Sequence, residues 1–512
     1  MEVGVLNGLR PERVFYYFEE LAGIPHGSGR TKAISDHLVE FAKRYSLDYI
    51  QDDLGNVVIH KPGTAGYESS EPVILQGHMD MVCEKDSDCE LDMEKEGLKL
   101  RVLKRKDVPH LAVSELLPRM SMDDDIIMAT GTTLGADDGI AVAYMQAILE
   151  AEDIPHPPLE CVITVDEEIG MLGAQGLDMA GLQGRMLLNI DSEEEGHALV
   201  GCAGGCTSKV SVPVVREIPE AGFAKAGLLV SGLMGGHSGM EIDKGRANAN
   251  YLLGRALQII SEEYPDGLRL ISMDGGSKDN AITREAKAVL LVKPEILDEV
   301  KKKVSCAEEI IRKEYGKRDP GISIVLSEET VVKDEADLKP MDKASGEKVI
   351  QMLRILPNGI QKMSLDLPGF VETSLNLGIL TTEEDTVLAS FLIRSSVNSE
   401  TREVAERLKA TAGALGGTYS EVGSYPAWEY RANSGLSQLM CEVYREQFGE
   451  ELIVETIHAG VECGFFMDGI PGLEAVSFGP DLTDIHTPKE AMDVASVERT
   501  WKFILAVLER MK

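Results

Sequence analysis

The sequence predicts an α/β protein: a main domain built on a mostly parallel sheet, interrupted by a second domain of α+β character. Three observations predict it. Helical and strand periodicities alternate through the first 200 residues, the pattern of strand-helix-strand units in a largely parallel sheet. Glycine density then rises sharply at Val200-Gly201-Cys202-Ala203-Gly204-Gly205-Cys206, and the pattern changes beyond it. From about residue 429 the chain returns to a helix, a Gly-rich stretch and a final helix. The expected division is therefore residues 1–205 and 429–512 for the main domain, with 206–428 inserted between them. At 512 residues, two or three domains of roughly 100–200 residues each is the ordinary expectation.

Local patterns place the elements in order. Pro11 to Ala22 sets Val14, Phe15, Phe18 and Leu21 at helical spacing, and Thr31 to Arg44 does so with Ile34, Leu38, Val39 and Phe41. Asn56-Val57-Val58-Ile59 and Val73-Ile74-Leu75 are β-rich runs. Ile140 to Leu149 is a helix, and Cys161 to Val165 and Met186 to Ile190 are strands. In the inserted part, Ser208 to Val215 and Ala226 to Ser231 alternate as strands. A helix follows Asn248, and strand character recurs at Ile322 to Val332 and Leu388 to Arg394. Ser434 to Phe448 and Val497 to Arg510 are the closing helices.

Composition excludes several classes. Lys plus Arg number 51 against 86 Asp plus Glu, a formal net charge of −35. Such a surface repels phosphate backbones, so nucleic acid is not an expected partner. There is no uncharged apolar run of about 18 residues, so no membrane span is expected. Met1-Glu2-Val3-Gly4-Val5-Leu6 lacks the basic start and apolar core of a signal peptide. Eight cysteines are too few for a disulfide scaffold, and the Cys202/Cys206 pair has no partner CxxC that would make a zinc knuckle. Reduced cysteines in a cytoplasmic protein are the expectation. Neither GxxxxGK[ST] nor a GxGxxG after a strand is present, so the usual phosphate cradle is missing.

Three predicted strands end directly in metal-ligand side chains. Val73-Ile74-Leu75 leads to Gln76-Gly77-His78-Met79-Asp80, Val162 to Val165 leads to Asp166-Glu167-Glu168, and Met186 to Ile190 leads to Asp191. In a parallel sheet the carboxyl ends of strands lie along one edge, where such folds bind ligands. Thr133-Leu134-Gly135-Ala136-Asp137-Asp138-Gly139 adds two aspartates at the start of a helix; N-capping accounts for one of them. Asp484-Ile485-His486-Thr487-Pro488 adds an imidazole. Taken singly, each of these is an ordinary loop residue. Together His78, Asp137, Glu168, Asp191 and His486 supply the imidazoles and carboxylates that two ions about 3.5–4 Å apart require. Glu167 is left to accept a proton, and Asp80, two residues beyond His78, is placed to hold the other ring nitrogen.

These segments resemble the M20 family of dizinc peptidases, closest to its aminoacyl-histidine (cytosol non-specific) dipeptidase branch. The matching runs are Gly77 to Val82, Thr133 to Gly139, Asp166 to Met171, Asn189 to Gly196, Gly235 to Gly239, Gly275 to Ala281, Arg394 to Ser399, His458 to Gly464 and His486 to Pro488. They occur in family order from His78 to His486.

The resemblance implies a dizinc catalytic domain with an inserted lid, hydrolysis of dipeptides, two Zn2+ per subunit (Mn2+ or Co2+ in its place) and a homodimer through the lid. It implies that Asp137 bridges the ions, that His78 and Asp191 bind one and Glu168 and His486 the other, and that Glu167 is the general base. Asp80 would orient His78, and His237, Asn280, Arg394 and Gly460 would hold substrate. Asp138 stands where this branch often has Asn. His197 is not expected at the ions, and His458 is a further pocket candidate. Two alternatives stay open: cleavage of N-acyl amino acids by the same centre, and a silent binding protein of the same fold.

Overall fold

The computed structural model describes residues 4–112, 119–219, 222–328 and 339–512. The chain divides into two compact units: Met1–Cys202, Tyr430–Thr456 and Val461–Lys512 form the first, and Ala203–Glu429 with Ile457–Gly460 form the second. The second unit thus starts three residues ahead of the expected crossing at 206. The reason is that the glycine-dense run begins a strand, Gly204–Pro213, in which Gly204 and Gly205 pair with Ser395 and Arg394. A side chain at Gly204 would collide with the main chain of Pro426 and Ala427. Composition alone gives no sign that Ile457–Gly460 joins the second unit.

In the first unit an eight-stranded sheet runs in the order Asp48–Gln51, Val57–Lys61, Leu159–Thr164, Val73–His78, Met186–Asn189, Glu474–Ser477, His197–Cys202, Ile453–Ile457. Parallel pairing is concentrated in the four strands from Leu159–Thr164 to Glu474–Ser477, with antiparallel neighbours outside them. Val73, Ile74 and Leu75 are fully buried. Each such side chain contributes about 1.5–3 kcal/mol, so burial on both faces makes this strand the fixed centre of the sheet. The helix Ala136–Glu150 is apolar on nearly every side and correspondingly buried. It packs on Val73–His78 and on the helix Glu12–Ala22, which buries Val14, Phe15, Phe18 and Leu21 as its spacing requires.

A smaller antiparallel sheet, in the order Leu482–Thr483, Ala491–Asp493, Asp125–Ala129, Leu100–Lys104, has no counterpart among the elements expected from periodicity. Its first two strands form a hairpin, and the loop between them carries His486.

The second unit is an antiparallel sheet with helices, α+β as expected. Its main path runs Ser323–Glu328, Ala224–Ser231, Ala286–Val292, Leu268–Gly275, Val371–Thr382, Thr386–Ser395, Gly204–Pro213, Thr418–Tyr425. The helices Ala249–Glu263, Leu297–Tyr315, Lys343–Ile355 and Asn398–Ala414 contribute Leu253, Val300, Leu353 and Leu408 to one continuous core with it. The strand expected at Ile322 to Val332 is seen as Ser323–Glu328; residues 329–332 lie outside the described residues. None of the eight cysteines forms a disulfide. Among the described residues no helix is long and apolar enough to cross a membrane.

Candidate metal centre and basic cluster

His78 is the last residue of Val73–His78 and is 1% exposed. Its Nδ1 lies 2.9 Å from the main-chain oxygen of Asp80 and 3.3 Å from Asp80 Oδ1. The nearest group holding the ring is therefore Asp80's own backbone, with its carboxylate second. The carboxylate has further duties: it accepts from Ser28 Oγ at 2.8 Å and from the main-chain N–H groups of Glu167 and Glu168 at 3.1 and 3.4 Å. Asp80 thereby fixes the turn that presents both glutamates. That turn is tight, with Asp166 in the left-handed region at φ 55°.

His78 Nε2 faces Asp137 Oδ1 at 3.0 Å and Asp191 Oδ1 at 3.6 Å. The other oxygen of Asp137 lies 3.0 Å from His486 Nε2, and Glu168 Oε1 lies 2.8 Å from that same nitrogen. Asp137 thus stands between two imidazoles, one oxygen to each. Within each of the triplets His78/Asp137/Asp191, Asp137/Glu168/His486 and His78/Glu167/Glu168, the ligand atoms lie within 4.8 Å of one another. Asp138 points the other way, is 2% exposed and accepts from the His78 main-chain N–H at 3.1 Å. The backbone turns out of the helix at these two residues, with φ/ψ of −83°/103° at Asp137 and −118°/31° at Asp138. His486 itself sits at φ 59°, a conformation that costs a non-glycine residue energy and is common at functional sites.

The electrostatics show what the cluster needs. Burial, joined by repulsion from Asp191 and Asp137, holds Asp138 well above the usual carboxylate range. Burial raises Glu167 likewise, against the pull of His78 and with repulsion from Asp191, Glu462 and Glu168. Glu168 and Asp191 are raised, again chiefly by burial. The imidazoles answer in kind. Burial pulls His78 down, but its contacts with Asp137 and Asp191 push it well above 6.5. Contacts with Asp137 and then Glu168 raise His486 to about 10. Buried like charges at this density are stable only with protons or cations among them. Two imidazoles and a set of carboxylates suit divalent zinc, and also manganese or cobalt, so the donor set fits the metal pair.

Two acids that local sequence patterns did not single out support this centre. Glu462, fully buried, accepts from Gln76 Nε2 and Thr164 Oγ1 at 2.6 Å each. Asn189 Nδ2 donates in turn to Gln76 Oε1 at 2.5 Å. The network joins the strands that end in His78, Glu167/Glu168 and Asp191. Glu462 lies inside the family-matching run His458 to Gly464, where its acidity was the available signal. The second acid is Glu490, four residues after His486.

A separate cluster forms in the second unit. His237 pairs with Ala281 in a short antiparallel ladder, and the Asn280 main-chain oxygen accepts from Ser238 N–H at 2.9 Å. His237 Nδ1 accepts from the Gly239 and Met240 N–H groups at 3.3 and 3.1 Å. With Nδ1 accepting, Nε2 carries the proton. Burial, then Arg394, lowers the pKa of His237, so the ring is a neutral N–H donor.

Arg394, 6% exposed, donates to Tyr425 OH at 3.0 Å and has no carboxylate at ion-pair distance among the described residues. His458 Nε2 lies 2.8 Å from Ser374 Oγ, and burial, then Arg394 and His237, brings its pKa to about 3. Gly239 lies among all three: a side chain there would meet the His458 main-chain oxygen, His237 Cε1 and Arg394 Nε. Gly460 follows His458 in the segment that joins this unit. His197 stands apart from both clusters, 2.8 Å from Glu455 and 3.2 Å from Glu194.

A two-unit α/β chain with carboxylates and imidazoles gathered beside the ends of parallel strands has the donor set of a metal-binding protein. The chain belongs to peptidase family M20/M25/M40, whose family model matches residues 107–510. It is 36% identical over 506 residues to the cytosol non-specific dipeptidase of Escherichia coli K12, covering 99% of each chain. Among solved structures it matches the aminoacylhistidine dipeptidase of Vibrio alginolyticus with a TM-score of 0.86 at 35% identity, covering 98% of this chain and 97% of that one. The aminopeptidase PepT of Bacillus cereus shares the fold at a TM-score of 0.52 and 16% identity, over 98% and 99% of the two chains.

Proposed function

We propose that this peptidase hydrolyses dipeptides in a metal-dependent reaction in the cytoplasm, as a homodimer formed through its second unit. The observation that carries the reading is Asp137, with one oxygen 3.0 Å from His78 Nε2 and the other 3.0 Å from His486 Nε2. That is the disposition of a carboxylate shared by two ions. His78 and Asp191 would complete one subsite, and Glu168 and His486 the other. When bound, a zinc pair supplies Lewis acidity and lowers the pKa of water toward neutrality. The named dipeptidases that align over the full length support the substrate class.

The chain's own residues do the rest. Glu167 takes the proton of the attacking water and passes it to the leaving amine. Asp80 orients His78 and fixes the Glu167–Glu168 turn. His237, as a neutral Nε2–H donor, stabilises the negative charge that develops on the carbonyl oxygen. Arg394 receives the substrate's carboxylate, for which its planar fork is suited, while Asn280 and Gly460 complete the cradle.

The test is hydrolysis by zinc-loaded and chelator-treated protein over free dipeptides including Xaa-His, a tripeptide and N-acetylated amino acids. Metal-dependent cleavage confined to free dipeptides is the expected result. Cleavage of acetylated substrates alone would overturn the dipeptide reading and point to an N-acyl amino acid hydrolase.

A further inference from the structure

We infer that Glu490 is a positioning residue that sets both Asp137, shared by the two subsites, and the His486 loop, so that the Glu168/His486 subsite depends on it more than the His78/Asp191 subsite does. This role rests on the two-ion reading of the centre. Glu490 is 2% exposed. Its Oε2 accepts the main-chain N–H of Leu134 at 2.7 Å and of Gly135 at 3.2 Å. Its Oε1 accepts that of Ala136 at 2.8 Å and of Asp137 at 3.5 Å. One carboxylate therefore gathers the four consecutive N–H groups that lead into Asp137 and open the helix Ala136–Glu150, where an anion is stabilised by the unpaired amides.

The same residue closes the hairpin loop that carries His486. Its N–H donates to Thr487 O at 3.0 Å, and Thr487 Oγ1 donates to Asp484 O at 2.7 Å. Leu482–Thr483 and Ala491–Asp493 clamp the ends of that loop. Glu490 is thus a side chain that joins the segment presenting Asp137 to the segment presenting His486.

The two subsites differ in how they are built. His78 and Asp191 lie at the ends of paired strands of the parallel sheet, and their side chains are 1% and 11% exposed. His486 sits on a loop, with a 43% exposed side chain and a left-handed backbone. The first subsite is held by the sheet. The second lies on a loop that Glu490 ties to residues 134–137, with His110 Nε2 3.5 Å from Asp484 Oδ2 as a further contact on that loop. A group that fixes a metal ligand from behind typically carries about 10–100-fold of metal affinity.

The experiment titrates ZnCl2 into the metal-stripped full chain, wild type and Glu490→Gln, by calorimetry, and counts retained zinc by mass spectrometry after desalting. Gln keeps the shape but turns an N–H2 group toward amides that need an acceptor. The expected result is one equivalent weakened about 10–100-fold and the other, which shares only Asp137 with it, weakened less, with faster amide hydrogen exchange confined to residues 134–137 and the 484–490 loop. Glu490→Asp, which keeps the carboxylate, recovers part of the loss and stands in if the Gln variant does not fold. Two wild-type affinities in the variants would overturn the inference. So would equal weakening of both equivalents with faster exchange across the first unit, which is damage to the fold. A wild-type chain that binds a single equivalent would overturn the two-ion reading, and shows this before any substitution is made.

Discussion

In the first unit, buried acids crowd two imidazoles, and burial holds Glu167, Glu168 and Asp191 above their ordinary pKa values. In the second unit the charge is reversed: Arg394 is buried near His237 and His458, whose pKa values burial and then Arg394 lower, and no carboxylate pairs with it among the described residues. One cluster needs positive charge and the other needs negative charge. Free amino acids and peptides carry a carboxylate, and metal ions carry the positive charge, so the two deficits match the two things the proposed reaction must bind.

The contrast can be broken at its most sensitive points. The largest expected effect is from Glu167→Ala, which should lower kcat by about 10²–10⁴-fold with zinc content unchanged by mass spectrometry. Near-full activity would remove Glu167 as the base. Arg394→Met comes next. Losing a charge-assisted bond costs about 1.5–3 kcal/mol, a fall of about 10–150-fold in kcat/KM, and it should leave zinc binding intact; an unchanged kcat/KM would place the substrate carboxylate elsewhere.

Two glycine substitutions sharpen the separation. A side chain at Gly77 would meet Asp138 Oδ2 and Ala141 Cβ, whereas one at Gly239 meets His458, His237 and Arg394. Overpacking of this kind costs about 1–3 kcal/mol. Gly77→Ala should therefore weaken zinc binding, and Gly239→Ala should raise KM at constant zinc content. If both variants lost zinc equally, the two clusters would not be independent.

The smallest effect is on stability. Burial raises Glu462 and Glu490 to about 7 each, above an ordinary 4.5. The folded chain holds protons there that the unfolded chain releases, so their contribution is complete below about pH 4.5 and is lost as pH rises through about 7. Chelator-treated protein should show a Tm that falls across this window, and saturating zinc should flatten the fall. A chelated Tm that rose with pH would reverse the assignment.

Much of the centre was legible because the sheet does the assembling. A strand such as Val73-Ile74-Leu75 announces itself by composition, and the residues just beyond it must lie at the sheet edge. His78, Glu167, Glu168 and Asp191 could therefore be gathered from periodicity. His486 is different. It follows no predicted strand, and its hairpin belongs to a small sheet whose two-residue and three-residue strands, Leu482–Thr483 and Ala491–Asp493, leave no periodic signal. As a lone imidazole it completed a ligand count; only the family resemblance gave it a partner. Similarly, His237, Asn280, Arg394 and Gly460 came only from that resemblance, because antiparallel strands scatter their end residues to opposite edges.

By itself the sequence determined the α/β class, the alternating elements of the first unit and the residue types a metal centre requires, since these follow from local periodicity and side-chain chemistry. The family motif favoured Asp137 over Asp138, but the tertiary structure decided why it faces both imidazoles: two backbone dihedral pairs at the mouth of a helix turn the neighbouring carboxylates apart. Tertiary structure alone decided that Asp80 grips His78 first through its main chain, and that a glutamate four residues beyond His486 collects the amides of residues 134–137. Hydrogen bonds between segments some 350 positions apart leave no trace in local pattern; they exist only once the sheet has brought the two loops together.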